Sequence, residues 1–350
     1  MTLTDATALA EPMPVDERSR LLTLINANWT TQAISVATQL HLAELLCGGP
    51  RPLQELADGA SCHPPSLLRL LRALASLGVV VELDDDRFEL TELGVLLQPD
   101  VPGSLAAWAQ FCGTTSWAGW SQLVECVRTG KSVRKRQLGA DGFDHLQEDG
   151  DAARLFNRAM VSLTASVAAA AVRFIDFSGA QSVVDVGGGF GELLATVLGA
   201  HPHLHGVLFD LSHAMVGARA RLAEAGVAGR CEVVAGSFFD SVPSGADTYL
   251  LKSVLHDWGD DRCAAILGNC RGVMGPRTRL LVIERIVPAR IAVSPHDQAV
   301  ARSDLNMLIG TGGRERTLEH FRDLLGPSGL RLEGCVELSN GYSALHAVAA

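Results

Sequence analysis

The sequence predicts an α/β fold, in which a doubly wound, mainly parallel sheet follows a smaller and mainly helical N-terminal region. Three observations predict it. From residue 180 onward short apolar segments alternate with helical ones, a glycine-rich loop follows the first apolar segment, and two strands joined by a turn end the chain. With 350 residues, of which 47% are hydrophobic, the chain can bury the core that such a sheet needs.

Composition limits the partners and the compartment. A net charge of -10 argues against a protein that coats nucleic acid or binds anionic membranes. The eight cysteines form no C-x-x-C pair, so we expect reduced thiols and neither a zinc ribbon nor a redox motif. Residues 1–17 lack the basic start and apolar core of a signal peptide and are predicted to be a flexible tail, and the apolar run 165–172 is too short to span a membrane. The sequence therefore predicts a cytoplasmic protein with no nucleic-acid and no membrane partner.

Residues 18–102 are predicted to form a winged-helix-like dimerisation domain. The segment Leu21–Leu46 is a long, largely apolar helical pattern, and so apolar a surface needs a partner, which we expect to be a second subunit. A short helix begins at Pro52, a second helix spans Ser66–Leu77, and two strand patterns flank the turn Asp84–Asp86. Two helices followed by a β-hairpin are typical of a winged helix.

The winged-helix pattern has two interpretations. Arg69 and Arg72 on the second helix would suit DNA binding, whereas the acidic turn at the tip of the wing opposes it. We therefore favour a dimerisation platform and predict a homodimer formed through this N-terminal domain.

Residues 103–178 are predicted to be a helical cap and linker that line the pocket of an acceptor molecule. Aromatic residues make up only 5% of the chain, yet six of them gather between residues 108 and 156. They are Trp108, Phe111, Trp117, Trp120, Phe143 and Phe156. Such rings pack a core or offer flat apolar walls to an aromatic substrate, and the sequence leaves both interpretations open.

Residues 179–350 are predicted to form the catalytic domain. Seven strands are expected, at 182–186, 206–209, 231–235, 248–252, 280–283, 331–338 and 342–348. The last two flank Asn340-Gly341, a dipeptide that favours a tight antiparallel hairpin. A parallel sheet that ends in an antiparallel hairpin fits a methyltransferase sheet better than a dinucleotide-binding sheet.

The loop after the first strand has the spacing of a nucleoside site without the dinucleotide signature. Gly187 and Gly189 let the backbone approach a ligand closely, but Glu192 stands where the third glycine of G-x-G-x-x-G would be. Asp210 ends the second strand, where an acid can accept both ribose hydroxyls; the alternative is a helix N-cap. The loop Gly236-Ser237-Phe238 after the third strand is expected to edge an adenine, with Phe238 against its face.

The segment Lys252–Trp258 after the fourth strand carries the candidate base, His256. An imidazole at its ordinary pKa of about 6.5 is suited to take a proton from a phenol of pKa about 10. Glu284, at the end of the fifth strand, and Glu315 could orient its other nitrogen and stabilise the imidazolium. The alternative for both acids is a surface salt bridge at a loop end.

These motifs in this order resemble a known family, the S-adenosylmethionine-dependent O-methyltransferases of the plant caffeic acid type, and most of all their bacterial relatives that methylate aromatic natural products. The segments that carry the resemblance are Val184–Gly189, Leu208–Asp210, Leu255–Trp258 and Gly313–Thr317. It covers nearly the whole chain, including the N-terminal dimerisation domain.

The resemblance implies S-adenosylmethionine as the cofactor, S-adenosylhomocysteine as its product, and a set of site residues. The implied catalytic residues are His256, Glu284 and Glu315. The candidate cofactor-binding residues are Gly187, Gly189, Asp210, Gly236, Ser237, Phe238, Lys252, Thr164 and Trp258. The candidate acceptor-pocket residues are Trp117, Phe156, Met160, Asp257, Asn306 and Met307. Relatives commonly have Asp where this chain has Ser237, which we expect to weaken cofactor binding by about 1 kcal/mol.

The expected reaction is methylation of a phenolic hydroxyl on an aromatic or polycyclic secondary metabolite. No tight carboxylate cluster is apparent in the sequence, so we expect no metal. Three alternatives stay open: an N-methyltransferase acting on a ring nitrogen, a relative that binds the cofactor yet hydroxylates or decarboxylates, and a DNA-binding regulator. The identity of the acceptor, the hydroxyl modified and the number of methylations are not encoded in any motif.

Overall fold

The computed structural model describes residues 16–139, 143, 150–338 and 341–350. The chain divides into two compact units, Met1–Gly94 and Val95–Ala350. Residues 1–15 of the predicted tail lie outside the described residues, but Asp16 and Glu17 do not belong to a tail. Asp16 caps the first helix, since its side chain accepts the backbone N–H of Ser19 at 2.6 Å. The predicted domain boundaries near residues 102 and 178 stay predictions.

The N-terminal unit consists of short helices and a small antiparallel sheet. Its helices are α1 Glu17–Asn26, α2 Asn28–Gln39, α3 Leu42–Leu46, α4 Leu53–Gly59, α5 Pro64–Ser76 and α6 Glu92–Val95, the last of which crosses the unit boundary. Its strands are β1 Arg51–Pro52, β2 Val80–Leu83 and β3 Arg87–Leu90, in the order β1-β3-β2. The predicted hairpin of β2 and β3 is present. The two-residue strand β1, which pairs with β3, was not predicted.

The helical pattern predicted over Leu21–Leu46 corresponds to three helices, α1, α2 and α3, and not to one continuous helix. His41 adopts a left-handed backbone, with φ of 54°, which ends the helical run before α3. The apolar surface is nevertheless present. Leu21, Leu24 and Ile25 of α1 are each more than half exposed, and α1 buries none of its residues against the described part of the chain. An exposed apolar helix of this kind is the surface expected of a subunit contact.

Arg72, proposed above as a possible DNA contact, is paired within the wing. Its guanidinium donates to the Glu82 carboxylate at 2.8 and 2.9 Å, so α5 is joined to β2 by a bidentate ion pair. This pairing neutralises one of the two arginines on which the DNA interpretation depends.

The second unit contains the large sheet and the helices around it. The helices are α7 Ala106–Phe111, α8 Trp117–Trp120, α9 Leu123–Thr129, α10 Val133–Leu138, α11 Gly150–Phe174, α12 Glu192–Ala200, α13 Ala218–Glu224, α14 Asp260–Val273, α15 Pro295–Ile309 and α16 Leu318–Leu325. The strands are β4 Ser182–Val186, β5 His205–Asp210, β6 Cys231–Ala235, β7 Thr248–Lys252, β8 Arg279–Arg285, β9 Leu330–Glu337 and β10 Tyr342–Ala349. A π-helical turn, Cys112–Ser116, joins α7 to α8, and a 3-10 turn spans Leu255–Asp257.

The seven-stranded sheet confirms the predicted fold class. Its strand order is β6-β5-β4-β7-β8-β10-β9, and all neighbours are parallel except at β10, which runs antiparallel to β8 and β9. The order reverses at β4, between β5 on one side and β7 on the other. In such sheets ligands bind beyond the carboxyl ends of the strands at this switch point. The site is therefore expected where β4, β5 and β7 end.

Two apolar layers cover the faces of the sheet. One is formed mainly by α11 and α12 and buries Val167, Leu194 and Leu198, and the other buries Tyr249 and Leu267 under α14 and α16. The apolar run 165–172 belongs to α11, which by length and composition alone could cross a membrane, with 33% of its most apolar window buried in the protein. The argument that this run is too short therefore does not hold for the whole helix.

Candidate active site

The glycine loop begins where β4 ends. Gly187 and Gly189 have positive φ values of 73° and 54°, in the region that favours glycine. A Cβ atom at Gly187 would lie 2.8 Å from Val254 Cγ2 and 3.4 Å from Phe238 Cε1. The loop therefore packs directly against the segments that follow β6 and β7, and neither the backbone nor the space admits a larger residue at Gly187.

Asp210 holds the other side of this loop. Its Oδ2 atom accepts the Gly189 N–H at 2.8 Å and its Oδ1 atom accepts the Leu211 N–H at 2.7 Å. The alternative interpretation as a helix N-cap is wrong, because the next helix, α13, begins at Ala218 and is preceded by Gly217. Burial raises the pKa of Asp210.

Asp185, which the motif analysis did not select, lies inside β4 beneath the loop. It is buried, and its Oδ2 atom has no hydrogen-bond partner among the described residues. Burial and the nearby Asp210 raise its pKa to about 7. A charged residue in the otherwise apolar strand Ser182–Val186 was the available signal.

Lys252 and Thr164 meet although 88 residues separate them. Lys252 Nζ, at the end of β7, donates to Thr164 Oγ1 of α11 at 3.0 Å. The next residue, Ser253, adopts a left-handed backbone with φ of 54°, and its hydroxyl lies 3.3 Å from the Tyr342 hydroxyl. Strain of this kind is concentrated at functional sites. Neither Tyr342 nor Ser253 was selected as a site residue from the sequence.

His256 lies in the 3-10 turn after β7 and faces three acids. Its Nδ1 atom is 3.1 Å from Glu315 Oε1 and 3.5 Å from Glu284 Oε2, and its Nε2 atom is 3.8 Å from Asp257 Oδ1. Glu284 is fully buried and Glu315 is 5% exposed. The alternative that these acids form surface salt bridges is therefore wrong, and so is the expectation that the chain has no tight carboxylate cluster.

Buried hydrogen bonds hold the histidine turn on two sides. Glu284 Oε1 accepts the backbone N–H groups of Val254, Leu255 and His256 at 3.0, 2.9 and 3.3 Å. On the other side the fully buried Arg316 donates to the carbonyls of Leu255 and Trp258 at 2.8 and 2.7 Å. The turn therefore has little freedom to move.

Gly313 is part of the same support. Its neighbour Arg314 donates its N–H to the His256 carbonyl at 2.9 Å, and a Cβ atom at Gly313 would lie 2.0 Å from that carbonyl oxygen. Only glycine allows the loop before Glu315 to approach the histidine turn so closely.

The charges around His256 change its protonation. Burial lowers the pKa of the imidazole, but the negative charges of Glu284, Glu315 and Asp257 outweigh burial and hold it well above 6.5. Burial raises the pKa of Glu284 to about 7. The expectation of an ordinary histidine pKa is therefore wrong, because the surrounding carboxylates favour the imidazolium form.

One ligand atom from each of His256, Glu284 and Glu315 lies within 4.8 Å of the other two, a spacing that is also short enough for a shared cation. An imidazolium between the carboxylates of Glu284 and Glu315 also accounts for this spacing.

Aromatic rings form a continuous row from α7 to the loop after β6. Trp258 packs against Phe238 at 6.2 Å and against Phe143 at 6.4 Å between ring centroids. Phe143 in turn contacts Phe156 at 5.6 Å, and Phe156 contacts Phe111 at 5.8 Å. The predicted cofactor-side and acceptor-side aromatic residues thus meet at Trp258.

The remaining predicted acceptor residues lie on three helices, α15, α11 and α8. Met307 is buried in α15, and Asn306 Oδ1 accepts the indole N–H of Trp120 at 3.3 Å. Met160 lies on α11, one turn before Thr164. The side chain of Trp117 is 39% exposed, so it is less enclosed than the other predicted residues.

The fold and this site define a methyltransferase, and comparison with known proteins specifies the family. A family model described as the O-methyltransferase domain matches residues 120–331, and one described as the O-methyltransferase dimerisation domain matches residues 22–100. The chain belongs to the O-methyltransferase family. This confirms the predicted enzyme class, a S-adenosylmethionine-dependent O-methyltransferase, and the N-terminal dimerisation domain.

The chain is similar to enzymes of antibiotic biosynthesis. It is 37% identical over 330 residues to a phenazine O-methyltransferase, PhzM, of Lysobacter antibioticus, covering 94% of this chain and 95% of that protein. It is 41% identical over 312 residues to a mitomycin biosynthesis 6-O-methyltransferase of Streptomyces lavendulae, covering 89% and 88%. The crystal structure of NcsB1, an O-methyltransferase from neocarzinostatin biosynthesis, superimposes with a TM-score of 0.75 at 32% identity, covering 92% of this chain and 96% of that one. That structure is a complex with S-adenosylmethionine and a hydroxy-methyl-naphthoic acid.

Two other relatives catalyse different reactions. An aclacinomycin 10-hydroxylase, RdmB, of Streptomyces purpurascens is 36% identical over 322 residues, covering 90% of this chain and 84% of that protein. An 8-amino-8-demethylriboflavin N,N-dimethyltransferase of Streptomyces davaonensis is 32% identical over 332 residues, covering 93% and 94%. The family likeness alone does not separate these chemistries.

Proposed function

We propose that this protein transfers a methyl group from S-adenosylmethionine to a phenolic hydroxyl of an aromatic or polycyclic natural product, with His256 as the general base and without a metal. One observation carries the proposal. The imidazole lies just beyond the end of β7, in the turn whose Val254 packs against Gly187 of the glycine loop, with Nδ1 3.1 Å from Glu315 Oε1 and Nε2 on the other side of the ring, 3.8 Å from Asp257 Oδ1. A base must point its acceptor nitrogen toward the substrate, and a carboxylate on the other nitrogen sets the required tautomer.

The residues at the switch point fit the proposed cofactor, which supplies an activated methyl group when it is bound. Gly187 leaves the space beside Val254 and Phe238 that a Cβ atom would fill. Asp210 stands at the end of β5, where ribose hydroxyls are accepted in sheets of this kind. We propose that Asp210 holds the ribose, that Gly236, Ser237 and Phe238 edge the adenine, and that Lys252 with Thr164 binds the methionine carboxylate.

The aromatic row supports a flat acceptor. Phe156 and Trp258 offer ring faces, and Met307 adds a polarisable thioether on α15. Asn306 and Asp257 are polar groups within the same region, which suits a ring that carries hydroxyl groups. We propose that these residues, with Trp117 and Met160, line the acceptor pocket.

Proton removal depends on the charge of the histidine. Because its pKa in the free protein is held well above 6.5, only part of the protein carries a neutral imidazole near neutral pH. In that form Nδ1–H donates to Glu315 Oε1 and Nε2 is free to accept the phenol proton. Bound S-adenosylmethionine would supply the methyl group to the deprotonated oxygen, with cleavage of its S–CH3 bond and S-adenosylhomocysteine as the leaving group. Glu284 and Glu315 stabilise the imidazolium that forms when His256 takes the proton.

The test is a mass-spectrometric screen of phenolic acceptors with His256→Ala and wild-type protein. We expect wild-type protein to add one methyl group to at least one phenol, and the variant to lose about a thousandfold in kcat. Thermal unfolding of both proteins checks that the variant is folded. Retention of most of the turnover in the folded variant contradicts the proposal.

The same screen separates the two rival activities that the relatives raise. Methyl gain on a ring nitrogen or amine that is insensitive to His256→Ala favours an N-methyltransferase, because such an acceptor needs no base. Gain of oxygen or loss of carbon dioxide without methyl gain favours the hydroxylase or decarboxylase.

We also propose the assembly and the compartment. Residues 18–102 form the homodimer contact, residues 103–178 form the acceptor cap, residues 179–350 form the cofactor-binding domain, and the protein acts in the cytoplasm. The exposed apolar face of α1 supports the first of these.

A further inference from the structure

One carboxylate oxygen of Glu315 is shared between the histidine and a serine. Glu315 Oε1 accepts His256 Nδ1–H at 3.1 Å and the Ser303 hydroxyl at 2.7 Å. The backbone of the same residue is also fixed, because the Glu315 N–H donates to Asp304 Oδ1 at 2.8 Å. Two successive residues of α15 therefore hold Glu315: Ser303 binds its carboxylate, and the side chain of Asp304 binds its backbone N–H.

Helix α15 also carries the proposed acceptor residues. Ser303 precedes Asn306 by three positions and Met307 by four, so the three side chains lie on one face of the helix. The loop that leads to Glu315 begins on the same helix end, where the N–H groups of Thr311 and Gly312 donate to the Met307 carbonyl at 3.1 and 2.8 Å. The acceptor wall and the support of the base are thus one continuous piece of structure.

We propose that Ser303 is a positioning residue for the reaction: its hydroxyl holds Glu315 Oε1 against Nδ1 of His256 and joins this pair to the acceptor wall on α15. The inference rests on the proposed role of His256 as the base. A carboxylate that accepts from two fixed donors is restricted to one orientation, and a partner that orients a histidine selects its tautomer. Ser303 acts through Glu315 and does not itself touch the reacting atoms.

The hydroxyl also sets the charge on the pair, and this gives the proposal a distinctive signature. The side chains of Glu284, Arg285, Asp257 and Asp304 influence the same cluster electrostatically. Burial raises the pKa of Glu315, but His256 and the hydrogen bond from Ser303 keep it lowered. We therefore expect removal of the hydroxyl to raise the pKa of Glu315. A carboxylate that has lost one donor is a stronger acceptor for Nδ1–H, so we expect the pKa of His256 to rise as well.

The experiment compares kcat, the acceptor KM and the pH profile of wild-type protein with those of Ser303→Ala and Ser303→Thr. For Ser303→Ala we expect kcat to fall about tenfold, the acceptor KM to change less than about twofold, and the acid limb of the kcat/KM profile, which reports the free protein, to move to higher pH. Ser303→Thr keeps the donor and should restore both values. Ser328→Ala removes a hydroxyl that bonds a helix carbonyl, that of Leu324, and should match wild type.

Each outcome decides the matter. Unchanged kcat and an unmoved acid limb in Ser303→Ala overturn the inference, as does a loss that moves no limb and that Ser303→Thr fails to restore. Should Ser303→Ala not fold, Ser303→Cys keeps the volume with a weaker donor and must show the same direction of shift. His256→Ala, measured in parallel, separates the two proposals, because a small loss there overturns the general-base assignment itself.

Discussion

Glu284 contacts His256 with both of its carboxylate oxygens: Oε1 accepts the His256 backbone N–H at 3.3 Å, and Oε2 lies 3.5 Å from Nδ1 of the ring. One side chain therefore fixes the turn that carries the imidazole and contributes to the charge of that imidazole. These two tasks can be separated by substitution, because an amide keeps an acceptor oxygen and loses the charge.

The first prediction concerns the pH dependence of the wild-type protein. The pKa of His256 is held above 6.5 in the free protein, so the fraction of neutral imidazole increases as the pH rises through this raised pKa. We expect kcat/KM for a phenol to rise about tenfold per pH unit on the acid side, with a midpoint above 6.5, because this ratio reports the free protein. The measurement is initial rate at low acceptor concentration across a series of buffers. A midpoint below 6.5 contradicts the assignment of charge.

The second prediction uses Glu284→Gln. Loss of the negative charge beside Nδ1 lowers the pKa of His256, so the acid limb of kcat/KM should move to lower pH than in wild-type protein. Glu284→Ala also removes the acceptor of three backbone N–H groups, and we expect it to lower the free energy of unfolding by about 3 kcal/mol. Denaturant unfolding and the pH profile are measured on both variants. An acid limb that moves upward in Glu284→Gln would show that the charge acts on another group.

The parts of the site that were predictable from sequence are those tied to strand ends. Asp210, Lys252 and Glu284 each follow or end an apolar strand pattern, and the parallel sheet brings such ends to one edge. The pairing of Lys252 with Thr164 depends on how α11 packs against the end of β7. The pairing of Glu315 with Ser303 depends on how the loop after α15 folds back onto that helix. No local pattern contains those contacts.

The protonation of the site was not predictable for the same reason. Of the groups that change the pKa of His256, Asp257 is its neighbour in the sequence, but burial and the acids 28 and 59 residues away come from the fold. The left-handed backbone of His41, which interrupts the helical pattern of Leu21–Leu46, was likewise not predictable, because no proline or glycine marks it.

The third prediction tests the close approach of the loop to the histidine turn. In Gly313→Ala the new Cβ atom would lie 2.0 Å from the His256 carbonyl oxygen, so the turn or the loop must shift. We expect a loss of about a hundredfold in kcat, since a displacement of about 1 Å is enough for such a loss. Gly268→Ala is the control, because a Cβ atom there meets nothing within 4 Å on helix α14. Equal kinetics of the two variants would show that the close approach of Gly313 to the histidine turn is not needed for catalysis.

The fourth prediction concerns metal. The imidazole of His256 already lies between Glu284 and Glu315, so we expect overnight dialysis against a chelator to leave kcat unchanged within experimental error. Added magnesium should not raise the rate of the dialysed protein. Loss of activity on dialysis, restored by a divalent cation, would instead assign the cluster of His256 and the two acids to a metal.

The fifth prediction concerns Ser237 in the loop after β6, the position at which the family resemblance implies an Asp. Its Oγ atom accepts the Phe239 N–H at 3.2 Å and bears no charge, so any bond to the exocyclic amine of adenine is a neutral one. Ser237→Asp should tighten S-adenosylmethionine binding about fivefold, which corresponds to about 1 kcal/mol, because a charged acceptor forms the stronger hydrogen bond. Calorimetric titration measures the dissociation constant. Ser241→Asp places the same charge on an exposed position of the same loop and should leave the constant unchanged. If both variants tighten binding alike, the effect is one of general charge; if Ser237→Asp weakens it, Ser237 does not face the adenine.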